Sequence, residues 1–185
     1  MEVVSALQKA IRRCDEHLAL WWAREILSVG WHKYLWGRLA IIAIEDVGEP
    51  NALTWVEIGR QAFYREAEYR AARGTDNPFD VQGAAACFLY RVVSNLARAT
   101  KDRTADEFMC WATEIADKLP SERPEIPDYA FDNHTKKGRA MGRDEAQFYE
   151  EAGTVKNQHP AWNSRYKDAL LALHLKARAA KAAHT

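Results

Sequence analysis

The stretch LWGRLAIIAIEDVGEPNAL, residues 35–53, decides the fold class. Leu35, Leu39 and Ile42 recur at helical spacing and mark the inner stripe of a helix from about Trp31 to Glu45. Gly48 and Pro50 then break the chain. Pro50 suits the first turn of the next helix, where its missing N–H is not needed. That helix runs to about Arg73, with Leu53, Val56 and Ala67 turned inward.

Reading outward from this stretch, helical periodicity continues on both sides. Towards the N-terminus, Val3, Val4, Leu7 and Ile11 mark a first short helix. Asp15 is placed to cap a second, which carries Leu18, Trp21, Trp22 and Ile26 and ends at Gly30. Towards the C-terminus, residues 74–80, GTDNPFD, have turn chemistry. A fifth helix, residues 81–99, is nearly apolar through its middle and is expected to be the most buried. Thr104 and Glu107 have the spacing of a capping box that opens a sixth helix, to about Leu119. Residues 120–127, PSERPEIP, hold three prolines and interrupt it. Helical pieces are expected over 128–141 and 143–152, then a polar connection. A last helix over 161–183 carries Trp162, Tyr166, Ala169, Leu170 and Leu173 on one face. Strand-like alternation and internal repeats are absent from the sequence. The fold class is therefore all-α, an orthogonal array of about eight or nine helices. The organisation reads as a helical core over 1–120, a Pro-rich connection with a basic helical segment over 121–160, and an amphipathic helix over 161–185 packed on the same domain.

Composition narrows the function classes. The chain has 26 basic and 26 acidic residues, which argues against a protein that coats nucleic acid through bulk charge. The charge is uneven: ten Lys/Arg and five Asp/Glu follow residue 133, a net of +5 that leaves −5 before it. Either the basic end forms a surface of its own or it packs on the acidic part. Three distant cysteines without a Cys-x-x-Cys pair suit reduced thiols and a cytoplasmic setting. No signal peptide is evident, and no apolar run is long enough to span a bilayer, so no membrane partner is expected.

The residues 35–53 resemble the helix-turn-helix in the C-terminal region of the replication-associated recombination protein A family, clamp-loader relatives of the AAA+ class. Arg38, Glu45, Asp46, Val47, Gly48, Pro50, Asn51, Ala52 and Leu53 match in order its Arg-bearing helix, Glu-Asp-Val-Gly turn and Pro-started helix. Residues 5–27, 96–108 and 126–143 match more weakly; the last also resembles a motif of stand-alone relatives in phage and bacterial genomes. The resemblance implies a clamp-loader collar fold, self-association with the tetramer as the family's size, and a setting in DNA replication or repair. It does not carry over ATP hydrolysis, because the chain has no Gly-x-x-x-x-Gly-Lys-Ser/Thr phosphate loop. The family's C-terminal ending is also replaced, by the helix around Trp162 and Leu173.

Four groups of residues are candidates for function. Glu45 and Asp46 are adjacent carboxylates at a helix C-terminus, which the helix dipole disfavours without partners. They read either as a metal or acid/base pair, or as a structural turn with Arg38, Gly48 and Pro50. In that turn one carboxylate would cap the following helix and the other would pair with Arg38. Asp128, Asp132 and His134 raise a metal site, but helical geometry turns position 134 away and favours an Asp132–Lys136 pair. Lys136, Lys137, Arg139 and Arg143, with Gly138 and Gly142 between them, read either as a phosphate-contacting strip for DNA or as a solvated face with a helix end at Gly142. Trp21, Trp22, Trp31, Tyr34 and Trp36 crowd sixteen residues, more than one helix face hides, and point to an interface.

No nucleophile motif, zinc spacing or cofactor signature is present, and catalytic residues, metal ligands and cofactors are not expected. The function expected is a non-enzymatic, homo-oligomeric adaptor of DNA replication or recombination that binds DNA or a replication protein. The alternatives are a competitor docking on a host complex and a metal-dependent hydrolase or nuclease.

Overall fold

The computed structural model describes residues 2–115 and 124–183. Every regular element among them is helical, apart from one isolated antiparallel bridge between Val47 and Lys101. The all-α reading holds, with nine α-helices among the described residues. No helix there is long and apolar enough to cross a membrane. The chain divides into two compact units, Met1–Pro120 and Ser121–Thr185.

The first unit contains α1 (Glu2–Arg12), α2 (Glu16–Ser28), α3 (His32–Glu45), α4 (Ala52–Ala72), α5 (Ala84–Arg98) and α6 (Thr104–Glu114). Asp15 caps α2 as its sequence position suggests, accepting the Leu18 N–H at 3.0 Å. Leu35, Leu39 and Ile42 form the expected buried stripe of α3. They join Leu7, Ile11, Val56, Phe63, Leu89, Val93 and Leu96 in one core. α5 touches α1, α2 and α4, and eight of its residues are buried. It owes its close approach to α4 to Gly59: a Cβ there would stand 2.3 Å from Val92 Cγ2 and 3.4 Å from the Trp36 ring.

Several local expectations are corrected. Pro50 lies ahead of the cap residue Asn51 rather than in the first turn of α4, and Leu53 is exposed while Ala52 and Val56 take the core. α5 begins at Ala84 instead of residue 81, because Asp80 turns the chain by accepting the Gln82 N–H at 2.7 Å. The Thr104/Glu107 capping box does not form. The Asp102 carboxylate takes the Thr104 N–H instead, at 2.8 Å, and Arg103 is the cap residue. The expected end of α6 and the start of the Pro-rich segment, residues 116–123, lie outside the described residues.

An aromatic clasp closes the 73–83 connection. Phe79 stacks on His32 with ring centroids 4.1 Å apart, and Tyr64 Oη lies 3.0 Å from His32 Nδ1. Burial first, and then Lys33, lowers the His32 pKa from its ordinary value.

The second unit contains α7 (Lys136–Ala140), α8 (Glu145–Gln147) and α9 (Arg165–Ala182). The helix expected over 128–141 is broken. A 3-10 turn at Asp128–Ala130 is followed by a bend at Asp132, whose carboxylate accepts the His134 N–H. Thr135 then caps α7 by accepting the Gly138 N–H at 2.9 Å. The piece expected over 143–152 becomes α8, capped by Asp144, and a π-helical turn at Phe148–Ala152. α9 starts at Arg165, so Trp162 lies before it, and it packs on α8 and the π turn. Lys167, Leu171 and His174 are its half-buried face. The face expected from the sequence, Tyr166, Leu170 and Leu173, is exposed.

Candidate functional site

The acidic turn is a structural hub. Asp46 follows the last turn of α3 and is fully buried. Arg12 of α1 donates to it from Nε at 2.8 Å and from Nη2 at 3.2 Å. Gln8 donates at 2.9 Å, and Arg103 reaches the same carboxylate from the segment before α6. Burial alone would raise the Asp46 pKa. The hydrogen bonds from Arg12, Gln8 and Arg103 outweigh it and hold the carboxyl below its ordinary value. The backbone repeats the connection: the Gly48 N–H donates to Thr100 O at 2.9 Å and the Asp102 N–H to Asp46 O at 3.2 Å.

The sequence expectation for this turn is corrected in its partners. Neither carboxylate caps α4. Glu45 accepts from Gln8 Nε2 at 2.9 Å, and Arg38 donates to Gln8 Oε1 at 2.8 Å, so Arg38 joins the cluster only through Gln8. A buried carboxylate saturated by two guanidiniums and an amide has no lone pair directed at solvent for a substrate proton. The hub ties α1, α3 and the α5–α6 connection together.

Asp132 accepts from both the backbone and Nδ1 of His134, at 3.0 Å each, instead of pairing with Lys136. Asp128 is held by Arg143. Among the described residues, no group of three or more His, Cys, Asp or Glu side chains is placed to hold a metal ion.

Three members of the basic run are engaged at home. Lys137 Nζ lies 3.8 Å from the Phe131 ring centroid. Arg139 donates to the carbonyls of Asn133 and His134 at 3.0 and 2.9 Å. Arg143 is half-buried and binds Asp128 through both its carbonyl and its carboxylate. Lys136 is exposed. Gly138 is buried against Asp132, whose carbonyl oxygen would stand 1.9 Å from a Cβ, so its missing side chain serves packing within the unit. Gly142, at φ +75°, ends α7, with the Arg143 N–H returning to Gly138 O.

The five aromatics separate. Trp36 is in the core, Trp22 packs half-buried against it, and Trp21, Trp31 and Tyr34 are exposed. Trp31 and Tyr34 meet edge to face at 6.1 Å, beside a groove of about 700 Å³ lined by Val4, Gly30, Trp31, His32, Lys33 and Tyr34. Tyr34 continues into a stripe that the aromatic count alone does not reveal. Tyr34, Gly37, Ile41 and Ile44 recur at 3-4-3 spacing, and all four are exposed, Ile44 at 58%. The signal in the sequence is that α3 is apolar on both faces. A helix apolar all round is buried or partnered on both sides.

α6 and α9 also expose apolar side chains: Phe108, Met109 and Trp111 on the first, Tyr166, Leu170 and Leu173 on the second. No protein-family model matches the chain, and no curated protein matches it.

Proposed function

We propose that this chain is a non-enzymatic helical adaptor that pairs with a second copy through the outer face of α3. The observation that carries the reading is the exposed stripe Tyr34, Gly37, Ile41 and Ile44, with Trp31 at its N-terminal end. A two-fold pair sets each face against itself, so a charged face repels its own copy. This stripe is uncharged, with Lys33 beside it. Large exposed aromatics next to aliphatics are the composition that anchors protein interfaces, and Gly37, with nothing within 4 Å of where a Cβ would be, leaves room for a facing side chain. Of the acidic residues that an enzymatic reading needs, Asp46 is bound by Arg12 and Arg103, Asp128 by Arg143, Glu45 by Gln8 and Asp132 by His134.

The setting we propose, DNA replication or recombination, follows from the resemblance of residues 35–53 to clamp-loader relatives. Its test is capture from native cells followed by mass spectrometry, with a replication ATPase or single-strand-binding protein expected.

Self-association is tested by light scattering at rising concentration. The wild-type chain is expected to exceed the mass of one chain, and Ile41→Glu with Ile44→Glu to weaken association about a hundredfold, because a charge buried without a partner costs several kcal/mol. Both positions are exposed, so helical circular dichroism and unfolding midpoint should stay unchanged. A wild-type protein that scatters as one chain up to millimolar concentration ends this reading.

A further inference from the structure

A cleft of about 470 Å³ lies between α3 and α4, lined by Lys33, Trp36, Gly37 and Ala40 of the first and Glu57, Arg60 and Tyr64 of the second. Its size is that of sites for small molecules. Small residues keep it open: a Cβ on Gly37 would have nothing within 4 Å. Its wall includes a donor without an acceptor. Trp36 is 2% exposed, and its Nε1–H is buried with no hydrogen-bond partner among the described residues. The benzo tip of the indole is directed at Gly59, whose Cβ position lies 3.4 Å from Cη2 and 3.7 Å from Cζ3. Nε1 is on the opposite edge of the ring. Buried N–H groups in native proteins are nearly always paired, so this one marks a place for an acceptor.

The charges around the cleft favour an anion as that acceptor. Glu57 is the one acid among the lining residues, and Arg60 holds it from Nε at 3.1 Å and from Nη2 at 2.5 Å. Lys33 then remains as the unbalanced charge, and it is exposed. It also stands in the first turn of α3, which contains no acidic residue and whose cap residue Trp31 binds no N–H through its side chain. The positive end of the helix dipole is therefore uncompensated within α3. Tyr64 contributes ring surface rather than a free donor, because its hydroxyl is 3.0 Å from His32 Nδ1.

We propose that this cleft binds a small organic anion, a carboxylate or phosphate monoester carried on a short apolar body. One anion oxygen accepts the Trp36 Nε1–H, and the charge faces Lys33 and Arg60. Arg60 keeps Nη1 for it, since Nε and Nη2 are on Glu57. The apolar body lies against Tyr64 and Ala40. The site goes beyond self-association through α3 and does not rest on it, although Gly37 is common to the cleft and the stripe.

Titration of the full chain with benzoate and with phenyl phosphate, followed by NMR of the indole N–H signals, tests this. Trp36→Phe identifies the Trp36 signal by its loss. At least one of the two anions is expected to move that signal downfield and to saturate, with a Kd below about 1 mM. The tighter of the two tells carboxylate from phosphate. Lys33→Gln changes an exposed side chain and spares the core, so the fold should persist while binding weakens roughly threefold or more. Added salt should weaken it in the same direction. Benzyl alcohol, a similar body without the charge, should bind roughly tenfold more weakly than the better anion. A Trp36 signal that stays fixed up to about 10 mM of both anions overturns the proposal. So does an equal response to benzyl alcohol, or unchanged binding in Lys33→Gln. A shift confined to the Trp31 signal overturns it too, by moving the anion to the groove beside Trp31 that Lys33 also lines.

Discussion

Asp46 and Asp144 each bind arginine where one helix must be tied to another, one in each unit. Asp46 has no exposed side-chain surface and lies under Arg12, Gln8 and Arg103. Asp144 caps α8 through the Gln147 N–H at 3.0 Å and holds Arg178 of α9 at 2.6 Å, with 44% of its side chain in water. Around Asp46 stands a core drawn from α1 to α5. Around Asp144 the buried apolar surface is slight: Ala146 is the buried hydrophobic residue of the second unit among those described. The first unit is held by apolar burial, and its ion cluster sets which helices meet. The second is held by caps, rings and exposed ion pairs. Identical chemistry therefore contributes very different amounts in the two places.

The largest expected effect breaks the buried hub. Asp46→Ala leaves Arg12 and Arg103 facing each other without their shared anion and should cost about 3 kcal/mol. Their guanidinium arms keep 31% and 29% of their surface in water, which lets them rehydrate and holds the cost at the low end of the range for buried pairs. Asp46→Asn retains an acceptor and should cost less. Urea unfolding followed by circular dichroism measures both, and a loss under about 1 kcal/mol for Asp46→Ala would show that the cluster merely decorates the core.

The next effect tests packing. Gly59→Val drives a branched side chain into Val92 and the Trp36 ring at the α4–α5 contact, and overpacking there should cost about 2 kcal/mol. The corresponding probe in the second unit, Leu171→Ala on the half-buried face of α9, should cost less than about 1 kcal/mol because water already reaches the site. Equal losses in the two variants, measured by the same urea titration, would erase the contrast between the units.

How much of this was legible in sequence follows the same division. Leu35, Leu39 and Ile42, and the Asp15 cap, depend on neighbours within one or two turns, and periodicity finds them. The partners of Asp46 lie 34, 38 and 57 residues away, so no local pattern could have named Arg12, Gln8 or Arg103 over Arg38. The failed capping box has the same cause: Asp102 is fixed beside Thr104 by the bond between its N–H and Asp46 O, a constraint invisible from residues 104–107. In the second unit the errors are of another kind. Asp132, Thr135 and Asp144 compete with the helix by binding backbone N–H groups, and they divide into short pieces what composition reads as continuous. The outer face of α3 was legible but masked, because an inner stripe and an outer stripe on one helix cancel each other's periodic signal.

The smallest effect is the one that most directly sharpens the contrast. Arg178 lowers the Asp144 pKa from 3.8 to about 2; burial, the next largest effect, opposes it, and the N–H groups of Gln147 and Ala146 add to the lowering. A depressed carboxylate contributes stability that is fully present above its unfolded pKa, begins to fall below it, and is gone once the pH passes the folded value. For Asp144 that window runs from about pH 4 down to about pH 2. Because both partners are more than two-fifths exposed, solvent screens the pair and the contribution should stay under about 1 kcal/mol. The Gln147 amide reports it directly, since its N–H donates to the Asp144 carboxylate. Its NMR shift should titrate with a midpoint near 2 in wild-type protein and rise towards the ordinary carboxylate value in Arg178→Gln. A wild-type midpoint near 4 would mean that α9 is not held at α8 by this pair. The second unit would then rest on its ring stacking, chiefly Tyr149 on His174 at 5.7 Å.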